Sequence, residues 1–324
     1  MRAACFGLLL AGLSRFVSLQ NHPIKLVIAG IYALWGLRQF QAKAYSQGIG
    51  DNADLTIPFM LLPGSLLRYC LLRPMKLAVN GTDVALEIAL APEGPRWCVN
   101  LSGGYHHARS EGGGGFCFFN DTALALQKQI KKNPKFNTLI IDLDFHCGDG
   151  NADFASKYPD NVTIIDIYGG KDYPFGFSRS VELEKSIKYP NPIVTNNYLW
   201  NEKRPNPIIK GVKTSDWYCD LVREKFRKVQ GRHFDCIIFN AGTDVYENDE
   251  LGSFMGLTKD QIIDRDQIVF EFARDNKIPI VQVLSGGYNK ERGAEIVFGC
   301  LLKSHQIMQP KQIESGSTQT CIQQ

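Results

Sequence analysis

Short apolar runs recur along the chain, and between them lie stretches whose apolar residues return every three or four positions. The runs Trp97–Leu101, Thr138–Phe145, Val162–Tyr168, Phe234–Asn240 and Ile278–Leu284 predict strands. The stretches Asn120–Ile130, Ser215–Val229, Thr258–Asn276 and Arg292–His305 predict helices. Asn120 or Asp121 suits the cap of the first helix. Thr258 and Gln261 have capping-box spacing at the start of the third, whose Ile262, Val269 and Phe272 or Ala273 share a face. Strands that alternate with helices and carry few polar alternates predict a parallel sheet covered on both faces. The expected fold class is α/β: a single three-layer α/β/α domain with a mainly parallel sheet. Phe175–Thr214 holds several Pro and Asn residues with weak periodicity, which predicts long surface loops and one short strand near Ile193.

Length and composition narrow the class. The chain has 324 residues, 44% of them hydrophobic, enough for a full core. A formal charge of +3 is too mild to argue for nucleic-acid binding. Nine cysteines without CxxC spacing do not make a disulfide framework and suit a reducing compartment. Phe6–Leu13 has the look of a signal-peptide core, but a small-residue cleavage pattern does not follow it. Lys25–Leu37 is shorter than the roughly 20 residues of a membrane span, so a buried helix is the expected reading. The polar tail Gln309–Gln324 is expected to be disordered.

The polar residues sit where a parallel sheet would place a site. Four of the apolar runs lead into polar, glycine-rich clusters: 102–116, 142–150, 240–249 and 285–289. Parallel strands would bring all four to one sheet edge, where ligands bind in such folds. In the second cluster Asp142, Asp144 and His146 alternate, so an extended strand would aim them to one side. Burying them together is costly without a partner, and a divalent cation such as zinc is a natural one. The competing reading is a hydrogen-bonded Asp/His cluster. His106 and His107 are adjacent and suit a proton-handling pair rather than two ligands of one metal. Each would need an orienting carboxylate, and Asp142 and Asp149 are available; otherwise the pair is exposed polar surface. The glycine clusters form no GxGxxG or GK[ST] loop, which disfavours nucleotide binding, and they suit a narrow substrate channel.

Taken in order, GYHHA and GGGGFCFFND, DLDFHCGDG, NAGTD with END, and SGGYN resemble the histone deacetylase superfamily. The similarity runs from about residue 58 to 303. The residues at 73–82, 240–252 and SGGY look most like the class IV branch, the histone deacetylase 11 type. The resemblance implies an arginase-like fold, with a divergent segment over residues 1–57, a catalytic domain over 58–308 and a tail over 309–324. It implies zinc held by Asp144, His146 and Asp249, although Asp244, Glu247 and Glu250 also lie in that loop. It assigns His107 as general base and acid, His106 as its electrostatic partner, Asp142 and Asp149 as their orienting carboxylates, and Tyr288 as the oxyanion donor. Gly115, Phe116, Tyr173 and Gly287 would line the substrate tunnel, and backbone around Asp142–His146 would hold a structural potassium ion. The implied reaction is hydrolysis of acyl-lysine amides, acetyl or longer, in histones or other proteins, in cytoplasm or nucleus. Deacylation of small amines such as polyamines and a non-catalytic scaffold are the alternatives. A binuclear arginase-type centre would need DxHxD where this chain has DxDxH.

Overall fold

The structure is a computed structural model that describes residues 66, 68–110, 112–168, 193–194, 215–252 and 255–309. The expectations for residues 1–57, for Tyr173, for most of 175–214 and for the tail beyond 309 lie outside the described residues. Among the described residues six strands form one parallel sheet: β1 (Trp97–Asn100), β2 (Thr138–Asp142), β3 (Val162–Asp166), β4 (Ile193–Val194), β5 (Cys236–Asn240) and β6 (Ile280–Val283). Their order is β1-β6-β5-β2-β3-β4. The helices are α1 (Arg73–Leu90), α2 (Asp121–Lys132), α3 (Asp149–Lys157), α4 (Ser215–Val229), α5 (Lys259–Asp275) and α6 (Gly293–Met308). The α/β architecture is the expected one.

Side chains that alternate along each strand divide the core in two. Leu139 and Ile141 of β2 face Val222 and Phe226 of α4, Ile262 and Val269 of α5, and Ile296 of α6. Ile140 faces the opposite layer, where Leu86 of α1, Leu126 of α2 and Phe154 of α3 pack. Each strand is apolar on both faces because both faces are covered, and each such fully buried side chain contributes about 1.5–3 kcal/mol. Asn120 caps α2 by accepting from Ala123 N at 2.8 Å. The Thr258 and Gln261 capping box opens α5 as the spacing predicts. Two helices escape the pattern. In α1, Leu77, Val84 and Ile88 are exposed while Leu86 and Ala89 are buried, so apolar residues on both sides blur the stripe. The short α3 begins inside a glycine-rich stretch that reads as a turn.

The strands end in register. Asp142 aligns with Asn240 on one side and Asp166 on the other, and Val283 aligns with both Asn240 and Asn100. From β2 the sheet grows outward through β3, whereas from β5 it grows the other way through β6. The crevice between β2 and β5 is therefore the topological switch point, the expected place for a ligand. One expectation needs correction here. Strand β2 stops at Asp142, so Asp144 and His146 do not alternate along a strand. Side chains replace the ladder: Asp144 N donates to Asp142 Oδ1 and His146 N to Asp144 Oδ1, which folds the chain over the sheet edge. Among the described residues no helix is long and apolar enough to cross a membrane.

Candidate active site and metal centre

The four polar clusters meet at the carboxyl edge. The cluster after β1 is held by the first turn of α2. Asp121, fully buried, accepts from Gly104 N at 3.0 Å, Tyr105 N at 2.8 Å and Thr82 Oγ1 at 2.5 Å. At the next residue of this loop, Gly150 N and Asn151 N of α3 both donate to the His106 carbonyl. The tandem histidines are thus locked between two helix N-termini.

Both histidines are buried and each has its carboxylate, as the sequence suggested. His106 Nδ1 lies 3.0 Å from Asp142 Oδ2, and His107 Nδ1 lies 2.7 Å from Asp149 Oδ1. Their rings are 4.1 Å apart, yet their protonation is driven in opposite directions. Burial acts to lower His106, but the charges of Asp142 and Asp144 outweigh it and push the imidazole up to about 10. His107 is lowered, first by burial and then by the charge on His106. The same surroundings thus favour the protonated form of His106 and the neutral form of His107. Arg109 Nε holds the other oxygen of Asp149 at 2.6 Å.

Beyond the histidines, Asp144, His146 and Asp244 bring three ligand atoms within 4.8 Å of one another. His146 Nδ1 is 3.2 Å from Asp144 Oδ1 and 3.0 Å from Asp244 Oδ2. Ligand atoms about 2.1 Å from a tetrahedral zinc stand about 3.4 Å apart, so this set fits such an ion. The charges fit as well. Asp144 and Asp244 are fully buried. Burial and the neighbouring Asp144 push Asp244 up to about 7, the response of a carboxylate short of positive charge.

The third ligand of this cluster is Asp244, whereas the resemblance had pointed to Asp249. Asp249 is spent elsewhere. Its Oδ1 accepts from Leu251 N and Gly252 N, and its Oδ2 accepts from Tyr288 N at 2.7 Å and Asn289 N at 3.0 Å. Four main-chain donors saturate both oxygens, so Asp249 anchors the backbone of Tyr288. Asp244 lies closer in sequence to the end of β5 and reaches the crevice directly, while its Oδ1 accepts from Phe145 N.

Two residues that sequence reasoning missed complete the wall. Ser285 Oγ and Gly286 N donate to Asp144 Oδ2 at 2.8 and 2.7 Å. Ser285 adopts a positive φ of 53°, a strained conformation at the edge of the site. Asn240 Nδ2 reaches Asp142 Oδ1 at 2.8 Å and Ser285 Oγ at 2.9 Å. Asn240 ends β5 and Ser285 lies two residues past the end of β6, which was the available signal. A Cβ on Gly286 would lie 2.4 Å from Asp244 Oδ2, so only glycine lets this backbone reach the carboxylates.

The Tyr288 ring lies 6.3 Å from that of His146 and 6.4 Å from that of Phe116. Burial, and after it the charges of Asp144 and Asp244, raise Tyr288 and keep the phenol protonated. Phe116 is 57% exposed at a positive φ of 64°, next to Gly115 at 44°. Gly287, next to Tyr288, is exposed. Of the main chain suggested for potassium, the Asp142 carbonyl accepts from Ile167 N and the Leu143 carbonyl from Arg265.

Comparison with known proteins gives the family and the fold. A relative from Arabidopsis thaliana, histone deacetylase 2, is 31% identical over 234 residues, 72% of this chain and 54% of that protein. Acetylpolyamine amidohydrolase of Mycoplana ramosa is 27% identical over 183 residues, 56% of this chain and 49% of its own. The chain thus spans about half the length of these relatives. The solved structure of acetylpolyamine aminohydrolase from Burkholderia pseudomallei shares the fold, with a TM-score of 0.57, 19% identity, and coverage of 72% of this chain and 63% of that one. The model of the histone deacetylase domain matches residues 61–302, a span that contains every residue of the site just described. The chain belongs to the histone deacetylase domain family.

Proposed function

We propose that the protein hydrolyses the amide bond of N6-acyl-lysine, acetyl or longer fatty acyl, in histones or other proteins. The observation that carries this reading is the convergence of two His–Asp pairs, the Asp144, His146 and Asp244 cluster, and Tyr288 on one sheet edge. Zinc held by Asp144, His146 and Asp244 would polarise the amide carbonyl and lower the pKa of a bound water. The carboxylate of Asp149 sets the tautomer of His107, with the proton on Nδ1 and the lone pair on Nε2. Nε2 takes a proton from the attacking water and later returns one to the leaving amine. Burial, and after it His106, whose protonated form Asp142 favours, keep His107 neutral and so free to accept a proton. The protonated Tyr288 donates to the oxyanion as the tetrahedral carbon forms. Asp249 holds the backbone that presents this phenol.

Within the family, SGGY and the residues at 73–82 and 240–252 support a class IV assignment, and longer acyl groups are therefore included. A second reading, hydrolysis of small acetylated amines, is favoured by the likeness to acetylpolyamine amidohydrolase. The test is zinc content together with release of acetyl and myristoyl groups from lysine peptides, with an acetylated polyamine as a third substrate. Bound zinc and turnover of a lysine peptide are expected. Turnover of the polyamine alone selects the second reading, and absence of both zinc and turnover rejects the enzyme.

A further inference from the structure

Behind the crevice lies an ion pair that the chemistry above does not use. Arg265 of α5 is completely buried, and its neighbour Asp266 is 1% exposed. Arg265 Nε and Nη2 meet Asp266 Oδ1 at 2.8 and 2.7 Å. Nη1 turns away from this carboxylate and donates to two main-chain carbonyls, Leu143 at 3.1 Å and Gly242 at 2.7 Å. The ring of Phe239 stands 5.8 Å behind the guanidinium.

The two carbonyls belong to different loops. Leu143 immediately precedes Asp144, and Gly242 comes two residues before Asp244. Both lie just past strand ends at Asp142 and Asn240, where the sheet ladder no longer supplies donors. The loops touch at this point, since a Cβ on Gly242 would lie 2.4 Å from Asp144 Oδ2. Core stability does not account for the pair. Burying two charges is costly, and apolar residues of similar volume often serve a core equally well or better. A planar, always-charged fork that one carboxylate fixes in place is instead suited to holding two backbones at a set distance.

We propose that Arg265 is a positioning residue that clamps the β2 and β5 loops from behind and sets the separation of the Asp144 and Asp244 carboxylates. The proposal rests on the reading of Asp144, His146 and Asp244 as a metal site. Asp266 acts through Arg265 by fixing the guanidinium plane. Neither residue reaches the crevice, so the clamp adjusts metal affinity while the ligands themselves stay unchanged.

The experiment is competition with a chelator for zinc, read beside the melting of the metal-free protein. The double variant Arg265→Met with Asp266→Leu removes both charges at near-constant volume. It is expected to fold and to bind zinc about tenfold to a hundredfold more weakly, the range for groups that orient metal ligands. Ile262→Val, which thins the core on the same helix, is expected to lower the melting temperature and leave zinc affinity unchanged. Wild-type affinity in the double variant overturns the clamp, as does an equal loss in Ile262→Val. Should the double variant not fold, Arg265→Lys decides: a loss of about threefold or more supports the proposal and unchanged affinity rejects it. A wild-type protein that takes up no zinc rejects the metal reading and the clamp with it, an outcome separated from the others because the unmutated control itself fails.

Discussion

The loops that follow β2 and β5 lie side by side at the switch point, and they use their carboxylates differently. From the end of β2 to the first residue of α3 every acidic residue faces the site: Asp142 serves His106, Asp144 joins the metal cluster and Asp149 serves His107. After β5 the work is divided. Asp244, near the strand end, enters the cluster. Asp249, farther along, accepts four main-chain N–H groups and holds the next loop in place. The contrast teaches that carboxylates are read by where their lone pairs go. A carboxylate saturated by backbone donors is an anchor, and one facing another carboxylate across an imidazole is short of a cation.

The largest effect that sharpens this contrast should come from Asp244→Asn. It removes a proposed ligand, so turnover is expected to fall more than about a hundredfold, beyond the range for groups outside the ligand set. Steady-state kinetics on an acyl-lysine peptide checks it. Tyr288→Phe should cost about 100- to 1000-fold in kcat, the usual loss of an oxyanion donor, with zinc retained. Asp249→Asn should reduce turnover about tenfold to a hundredfold. Its new amide hydrogens would face two of the N–H groups that now converge on a carboxylate, so the Tyr288 backbone shifts while metal stays bound. The smallest effect concerns the N-cap of α5, whose hydroxyl accepts from Gln261 N and touches neither carboxylate. Thr258→Ala removes the cap of α5 and should destabilise by about 1 kcal/mol in denaturant unfolding with kcat unchanged.

Much of this was legible before the structure. The strands were visible as apolar runs because both faces of the sheet are covered, and loops gathered on one edge made Asp142 and Asp149 available to the histidines, a role that the family resemblance implied. What escaped had local causes. The apolar residues of α1 lie on two sides, so its stripe is indistinct. The nine residues of α3 start in glycine-rich sequence. Alternation of Asp142, Asp144 and His146 suggested one strand, but side-chain bonds to their own backbone end it at Asp142. Asp244 and Asp249 share one loop, and spacing carries no record of which one the backbone saturates. The Arg265 clamp is equally silent in sequence, because a charged residue in an amphipathic helix ordinarily faces water.

Zinc stoichiometry of Asp244→Asn beside Asp249→Asn, measured by elemental analysis after dialysis against a mild chelator, tests the central claim most directly. The account predicts that Asp249→Asn keeps the wild-type metal content while Asp244→Asn loses it. Loss of metal from Asp249→Asn with full retention in Asp244→Asn would contradict it and restore Asp249 as the ligand.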